Sequence, residues 1–262
     1  MRSLLLRTLA LAAVAAAPLL AAPLSAQTVS FGGQTLRTNV DAGAITVNGG
    51  VLQMMDGTYS VSHSALTTST FNLNGPWSTA FRMTYDCVNV SGWCTGDGIG
   101  FVVSNGPDTD LGVGGGSMGY ENGFTAGSYG VFFRTFWTDV LEGRDGGFTN
   151  GVTDGGTAWT GSLVDAFDVL LAYDGTGALN WSVTRVSNSA MFAGSMTGLE
   201  TTDWSNARVG FSASSGAASE NSYVSNWQWN VPANTVVPEP ATVALVAAGL
   251  AVVGAVARRR RA

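Results

Sequence analysis

Ala80-Phe81-Arg82-Met83-Thr84-Tyr85 places Phe81, Met83 and Tyr85 on one side of an extended chain and Arg82 and Thr84 on the other. Successive side chains of a strand point to opposite faces, so this alternation describes a sheet with one face on a core and the other in water. Working outward, comparable runs recur at 45–51, 58–65, 78–85, 98–103, 129–137, 167–173, 179–186, 209–213 and 222–229, and no segment between them carries a sustained helical period. Asp56-Gly57 and Asp174-Gly175 separate neighbouring runs and read as hairpin turns. Nine or more strands with no helix to cover them predict an all-β fold, an antiparallel β-sandwich of the jelly-roll kind.

Both ends of the chain stand apart from this pattern. Arg2 and Arg7 flank an apolar stretch from Leu4 to Leu20, and Leu24-Ser25-Ala26 offers small residues before Gln27. This is the layout of a secretory signal peptide over 1–26, cut between Ala26 and Gln27. At the other end Pro238-Glu239-Pro240 precedes an apolar run over 241–257, long enough to span a bilayer as a transmembrane sorting helix, and then Arg258 to Arg261. A permanent single-span anchor is the alternative reading of the same residues. Residues 233–262 resemble the PEP-CTERM sorting tail of Gram-negative bacteria that secrete exopolysaccharide. The resemblance implies cleavage near Pro238-Glu239-Pro240 by an exosortase, with transient residence in the inner membrane. Signal peptidase is the second implied processing enzyme, and the cell surface or extracellular matrix the destination.

Between the signals, over 27–232, six arginines face seventeen acidic residues, a net of −11, with no lysine. Such a charge repels nucleic acid and anionic membranes. Cys87 and Cys94 bracket Val-Asn-Val-Ser-Gly-Trp, and export to an oxidising compartment favours a disulfide between them. Zinc would require more ligands than two cysteines provide.

Three blocks resemble the L-type (legume-like) lectins of the concanavalin-A-like sandwich. The first is Gly96-Asp97-Gly98-Ile99-Gly100-Phe101-Val102-Val103, with Leu111-Gly112-Val113-Gly114-Gly115-Gly116-Ser117-Met118-Gly119-Tyr120 after it. The second is Tyr129-Gly130-Val131-Phe132-Phe133-Arg134-Thr135-Phe136. The third is Ala207-Arg208-Val209-Gly210-Phe211-Ser212-Ala213-Ser214-Ser215-Gly216, followed by Asn221 to Trp229. The resemblance implies that Asp97 accepts hydrogen bonds from sugar hydroxyls while Gly114, Gly115 or Gly116 donates a backbone N–H beside it. A carboxylate takes two hydroxyls at once, and glycine lets the backbone approach a ring. The alternative is that Asp97-Gly98 is only a turn and the three glycines only a flexible loop.

The second block departs from the family, whose Val-Glu-Phe-Asp supplies two metal-binding acids. Phe132 and Arg134 stand at those two positions, and Thr138 stands where an asparagine would touch calcium and sugar. Calcium takes six to eight oxygen ligands, which neither side chain can supply. No cofactor is required by the sequence, although Asp139, Glu142 and Asp145 form either a relocated calcium loop or a solvated acidic turn. Arg134 is expected to replace the metal's charge by pairing with Asp97 or Asp139.

Indole faces stack on pyranose rings, which makes the loop tryptophans Trp93, Trp137, Trp159 and Trp204 candidates, with Trp137 preferred. Trp181, Trp227 and Trp229 fall on strands and read as core. No strand carries the alternating carboxylates of a glycosidase, and the only histidine, His63, lies among serines with no nucleophile motif. The chain therefore reads as a non-enzymatic, exported surface or matrix protein that binds a polysaccharide or other glycan. A structural matrix protein that keeps the fold and has lost the sugar site is the alternative.

Overall fold

A computed structural model of the chain describes residues 25–90, 92–136, 140–145, 165–199, 203–231 and 236–237. Residues 1–24, Pro238-Glu239-Pro240, the apolar run and the arginine stop lie outside them, as do Trp137, Asp139 and Trp159; Asp145 is described in its backbone only. The strands are β1 (Ser25–Phe31), β2 (Gln34–Val40), β3 (Thr46–Asn48), β4 (Val51–Asp56), β5 (Ser62–Thr67), β6 (Thr70–Phe71), β7 (Trp77–Asp86), β8 (Gly98–Ser104), β9 (Tyr129–Arg134), β10 (Val140–Asp145), β11 (Ala166–Tyr173), β12 (Leu179–Arg185), β13 (Met191–Met196), β14 (Arg208–Ser214), β15 (Asn221–Asn230) and β16 (Val236–Val237).

Two seven-stranded antiparallel sheets pack face to face. The front sheet runs β1-β2-β5-β14-β8-β9-β10 and the back sheet β13-β12-β11-β7-β15-β4-β3, while β16 pairs with β6 apart from both. This is the expected all-β antiparallel sandwich. Asp174-Gly175 turns the β11–β12 hairpin as expected. Asp56-Gly57 does not turn a hairpin: β4 pairs in the back sheet and β5 in the front, so the dipeptide carries the chain from one layer to the other. The run at 45–51 is broken by Gly49-Gly50, whose positive φ angles (58° and 78°) fold β3 back on β4. Val140–Asp145 pairs with β9, so Glu142 and Asp145 belong to an edge strand and not to an acidic turn.

Aromatic rings fill the space between the layers. Phe81 of the back sheet meets Phe211 of the front edge-to-face at 5.2 Å and Phe101 at 6.1 Å. Each such side chain contributes about 1.5–3 kcal/mol by leaving water. The alternation in β7 is complete, with Trp77, Thr79, Phe81, Met83 and Tyr85 buried and the residues between them half-exposed. β8 differs, being buried at all seven positions, because a second cluster of Leu66, Val102, Met118, Tyr120, Phe124 and Phe132 covers the outer face of the front sheet.

Candidate functional site

The chain crosses from the back sheet to the front through residues 87–97. Cys87 and Cys94 are joined by the expected disulfide, with Cα atoms 5.6 Å apart. Asn221 holds the base of that loop, its Nδ2 donating to Asp86 Oδ1 (2.6 Å) and to the Val88 carbonyl (2.8 Å). The Ser219 N–H donates to the Trp93 carbonyl at 3.1 Å and ties the far side of the loop to the turn after β14.

Asp97 sits immediately before β8, following a cis Gly96–Asp97 peptide. Its N–H donates to Ser214 O (2.8 Å) and its carbonyl accepts from Thr135 N–H (3.1 Å), so β14 and the end of β9 fix its backbone from both sides. The Gly96 N–H donates to the Glu220 carboxylate (3.2 Å). The Asp97 side chain lies against two glycines: a Cβ on Gly216 would stand 2.9 Å from Oδ2, and one on Gly115 4.0 Å from it. A Cβ on Gly116 would stand 3.7 Å from Arg134 Nη2, which brings the guanidinium to the same glycine-rich loop. Asp139, the other partner expected for Arg134, lies outside the described residues.

The glycine-rich loop is anchored, not loose. Ser214 Oγ donates to Gly115 O (2.6 Å), Ser212 Oγ to Met118 O (2.7 Å), and the Gly115 N–H to Ser215 O (3.0 Å). Because that N–H is already engaged, Gly115 shapes the wall beside Asp97 and does not serve as the expected N–H donor. Gly216 and Glu220 escaped the sequence reading. Gly216 stood inside the third block, yet only the fold shows that its lack of a Cβ makes room for Asp97.

The calcium implied by the resemblance does not fit at Phe132. That ring is fully buried, 5.1 Å from the Tyr120 ring, in a slot left by the neighbouring strands: a Cβ on Gly100 or on Gly130 would come within 2.2 Å of it. Apolar packing occupies the place of an oxygen ligand. Among the described residues no group of three or more His, Cys, Asp or Glu is placed to hold an ion.

The tryptophans divide. Trp204 is 1% exposed, not on a loop surface: it packs against Tyr173 (5.4 Å) and its Nε1–H donates to Gly127 O (2.8 Å). Trp93 is 68% exposed on the disulfide loop, while Trp181 and Trp227 are buried. His63 is buried, with its ring nitrogens facing the carbonyl oxygens of Met54 and Ala42.

Residues 236–261 match the family model described as the PEP-CTERM protein-sorting motif. The motif implies export and cell-surface sorting. No curated protein matches the chain by sequence. Among solved structures, the basic winged bean lectin with Tn-antigen is similar at 18% identity and a TM-score of 0.62, covering 74% of this chain and 93% of that one. The metal-free form of lectin I-B4 from Griffonia simplicifolia aligns at 17% identity and TM-score 0.60, over 74% of this chain and 92% of its own. Arcelin-5, a lectin-like defence protein from Phaseolus vulgaris, aligns at 18% identity and TM-score 0.60, over 73% of this chain and 91% of its own. The sandwich is thus legume-lectin-like in fold.

Proposed function

We propose that this protein is an exosortase substrate whose sandwich binds carbohydrate at Asp97, without catalysis and without calcium at the Phe132 and Arg134 positions. The observation that carries the reading is the convergence on the Asp97 carboxylate of the glycine-rich loop and the Gly216 turn, with the Arg134 guanidinium beside Gly116. A carboxylate between Cβ-free backbone segments accepts hydroxyl donors while the backbone approaches a ring closely. Arg134 supplies positive charge beside that loop in place of a metal. Glu220 is a positioning residue, since its carboxylate holds the Gly96 N–H.

The burial of Asp97, only 3% exposed, favours the second reading, a structural matrix protein that retains the lectin fold. One experiment separates the two. The full chain is applied to a glycan array that includes bacterial exopolysaccharides, with calcium and with chelator, beside Asp97→Asn and Arg134→Ala. Binding that survives chelation and is lost in Asp97→Asn supports the lectin. Silence across the array under both conditions supports the structural protein.

A further inference from the structure

Trp93 is among the largest apolar side chains and is 68% exposed, and Val88, at the other end of the same disulfide loop, is 65% exposed. An exposed indole leaves a large apolar face in water unless something covers it. The described residues of the loop that carries it are held at several points. The Cys87–Cys94 disulfide closes it, Asn221 bonds Val88 O, the Val88 N–H donates to Asp86 Oδ1 (2.9 Å), and the Val90 N–H donates to Cys87 O (3.2 Å). A side chain presented from such a loop has little backbone entropy left to lose on binding.

The loop also sits beside the candidate sugar site. Ser219, whose N–H holds the Trp93 carbonyl, is three residues from Gly216, which packs on Asp97 Oδ2. Between them the Gly216 N–H donates to Ala218 O (3.2 Å), so the turn is tight. Those three steps of chain span at most about 10 Å even if fully extended. The backbone of Trp93 and the side chain of Asp97 are therefore tied to opposite ends of one short turn.

We propose that Trp93 is the stacking platform for a second sugar ring of a neutral oligosaccharide whose first ring is held at Asp97. The proposal rests on the carbohydrate reading above and deepens it: the ligand is a chain of two or more rings, not a lone monosaccharide. Neutrality follows from the acidic surplus, seventeen acidic residues against six arginines outside the terminal signals, which repels anionic polymers. The apolar C–H faces of a pyranose match the indole, and the hydroxyl edge of the first ring matches the carboxylate.

The test is isothermal titration of the full chain with glucose, mannose and galactose, each as a monosaccharide and as its neutral trisaccharide. For the sugar recognised, the trisaccharide is expected to bind about three- to tenfold more tightly than the monosaccharide, the contribution of one aromatic stack. Trp93→Ala brings that ratio to one, and Trp93→Phe restores most of it. A length ratio of one in the unaltered protein, or a ratio that persists in Trp93→Ala, overturns the platform while leaving Asp97-dependent monosaccharide binding intact. Absence of Asp97-dependent binding of these sugars at either length overturns the platform for a neutral hexose chain, while the glycan array decides the carbohydrate reading itself.

Discussion

The two sheets bury their residues by different rules. In the back sheet, β11 alternates cleanly: Phe167, Val169, Leu171 and Tyr173 are buried, while Asp168 and Leu170 between them are exposed. In the front sheet, β5, β8 and β14 are buried almost throughout, because the segment from Leu111 to Phe124 lies over their outer face. The covered face is also the one that carries the candidate site. A sheet covered on both sides can hold a loop in place by packing alone, where a one-sided sheet leaves its outer face to water.

Phe132 offers the sharpest way to break that difference. Truncation to alanine would empty the slot between Gly100 and Gly130 and leave Tyr120 with Phe124 but without its second ring partner. The expected cost is about 3–5 kcal/mol, a loss readable in a urea titration. The glycine-rich loop should loosen at the same time, seen as faster amide exchange over Gly112 to Gly119. A cost below about 1 kcal/mol with unchanged exchange would mean that the loop is held by its serine hydrogen bonds and not by the aromatic cover.

The next effect belongs to the back sheet. Asp165 precedes β11 and accepts from the Arg185 guanidinium, Ser187 Oγ and the Ala166 N–H, with both ionic side chains largely shielded. Burial pushes its carboxyl up, but the Ser187, Arg185 and Ala166 donors outweigh it and hold the group below the usual carboxylate range. Asp165→Asn keeps the shape and removes the charge, and should cost about 1.5–3 kcal/mol at pH 7. Since the folded-state pKa is depressed, this stability is present above the ordinary value of about 3.9 and is lost as pH falls through the folded one. Unfolding curves for the two proteins should therefore converge in acid.

The contrast between the sheets also explains what could be read in advance. Alternation at Phe81, Met83 and Tyr85 announces a one-sided sheet, and the sandwich follows from its recurrence. The front sheet does not alternate, so its strands had to be recognised by composition and by resemblance. Val140–Asp145 was missed because Glu142-Gly-Arg-Asp145 shows no apolar alternation, and its place in the sheet is set by the β9 register. Trp204 misled because its neighbours Asp203 and Ser205 are polar, while the groups that bury it, Tyr173 and the Gly127 carbonyl, are distant in sequence. At the site, Asp97 and the glycine-rich loop were legible as motifs. Gly216 and Glu220 were not, because their roles exist only once β14 lies beside β8.

The smallest effects lie in carboxylates on opposite outer faces, and their signs differ. Asp110, beneath the front cover, accepts from Ser104 Oγ (3.1 Å) and the Thr125 N–H (3.1 Å). Its burial nevertheless pushes the carboxyl above its ordinary value. A raised folded-state pKa means that the native protein binds the proton more tightly than the unfolded chain. Its contribution is therefore full below about 3.9 and is lost as pH rises through the folded value. On the wet face of the back sheet, Arg82 grips Asp168 through Nε (2.7 Å) and Nη2 (2.8 Å), and that hydrogen bonding lowers the Asp168 carboxyl. The pair is exposed, with side chains 36% and 52% accessible, so it is worth about 0.2–1 kcal/mol and is screened by salt. Asp168→Asn should thus lose a little stability at pH 7, less at high salt, and none in acid. Asp110→Asn should instead remove a loss of stability that the unaltered protein shows on rising from about pH 4, leaving the variant within about 1 kcal/mol of it at pH 7. Both are read from denaturant midpoints between pH 3 and 7. Slopes of the same sign in the two variants would show that water reaches Asp110 and that the front cover is not closed over it.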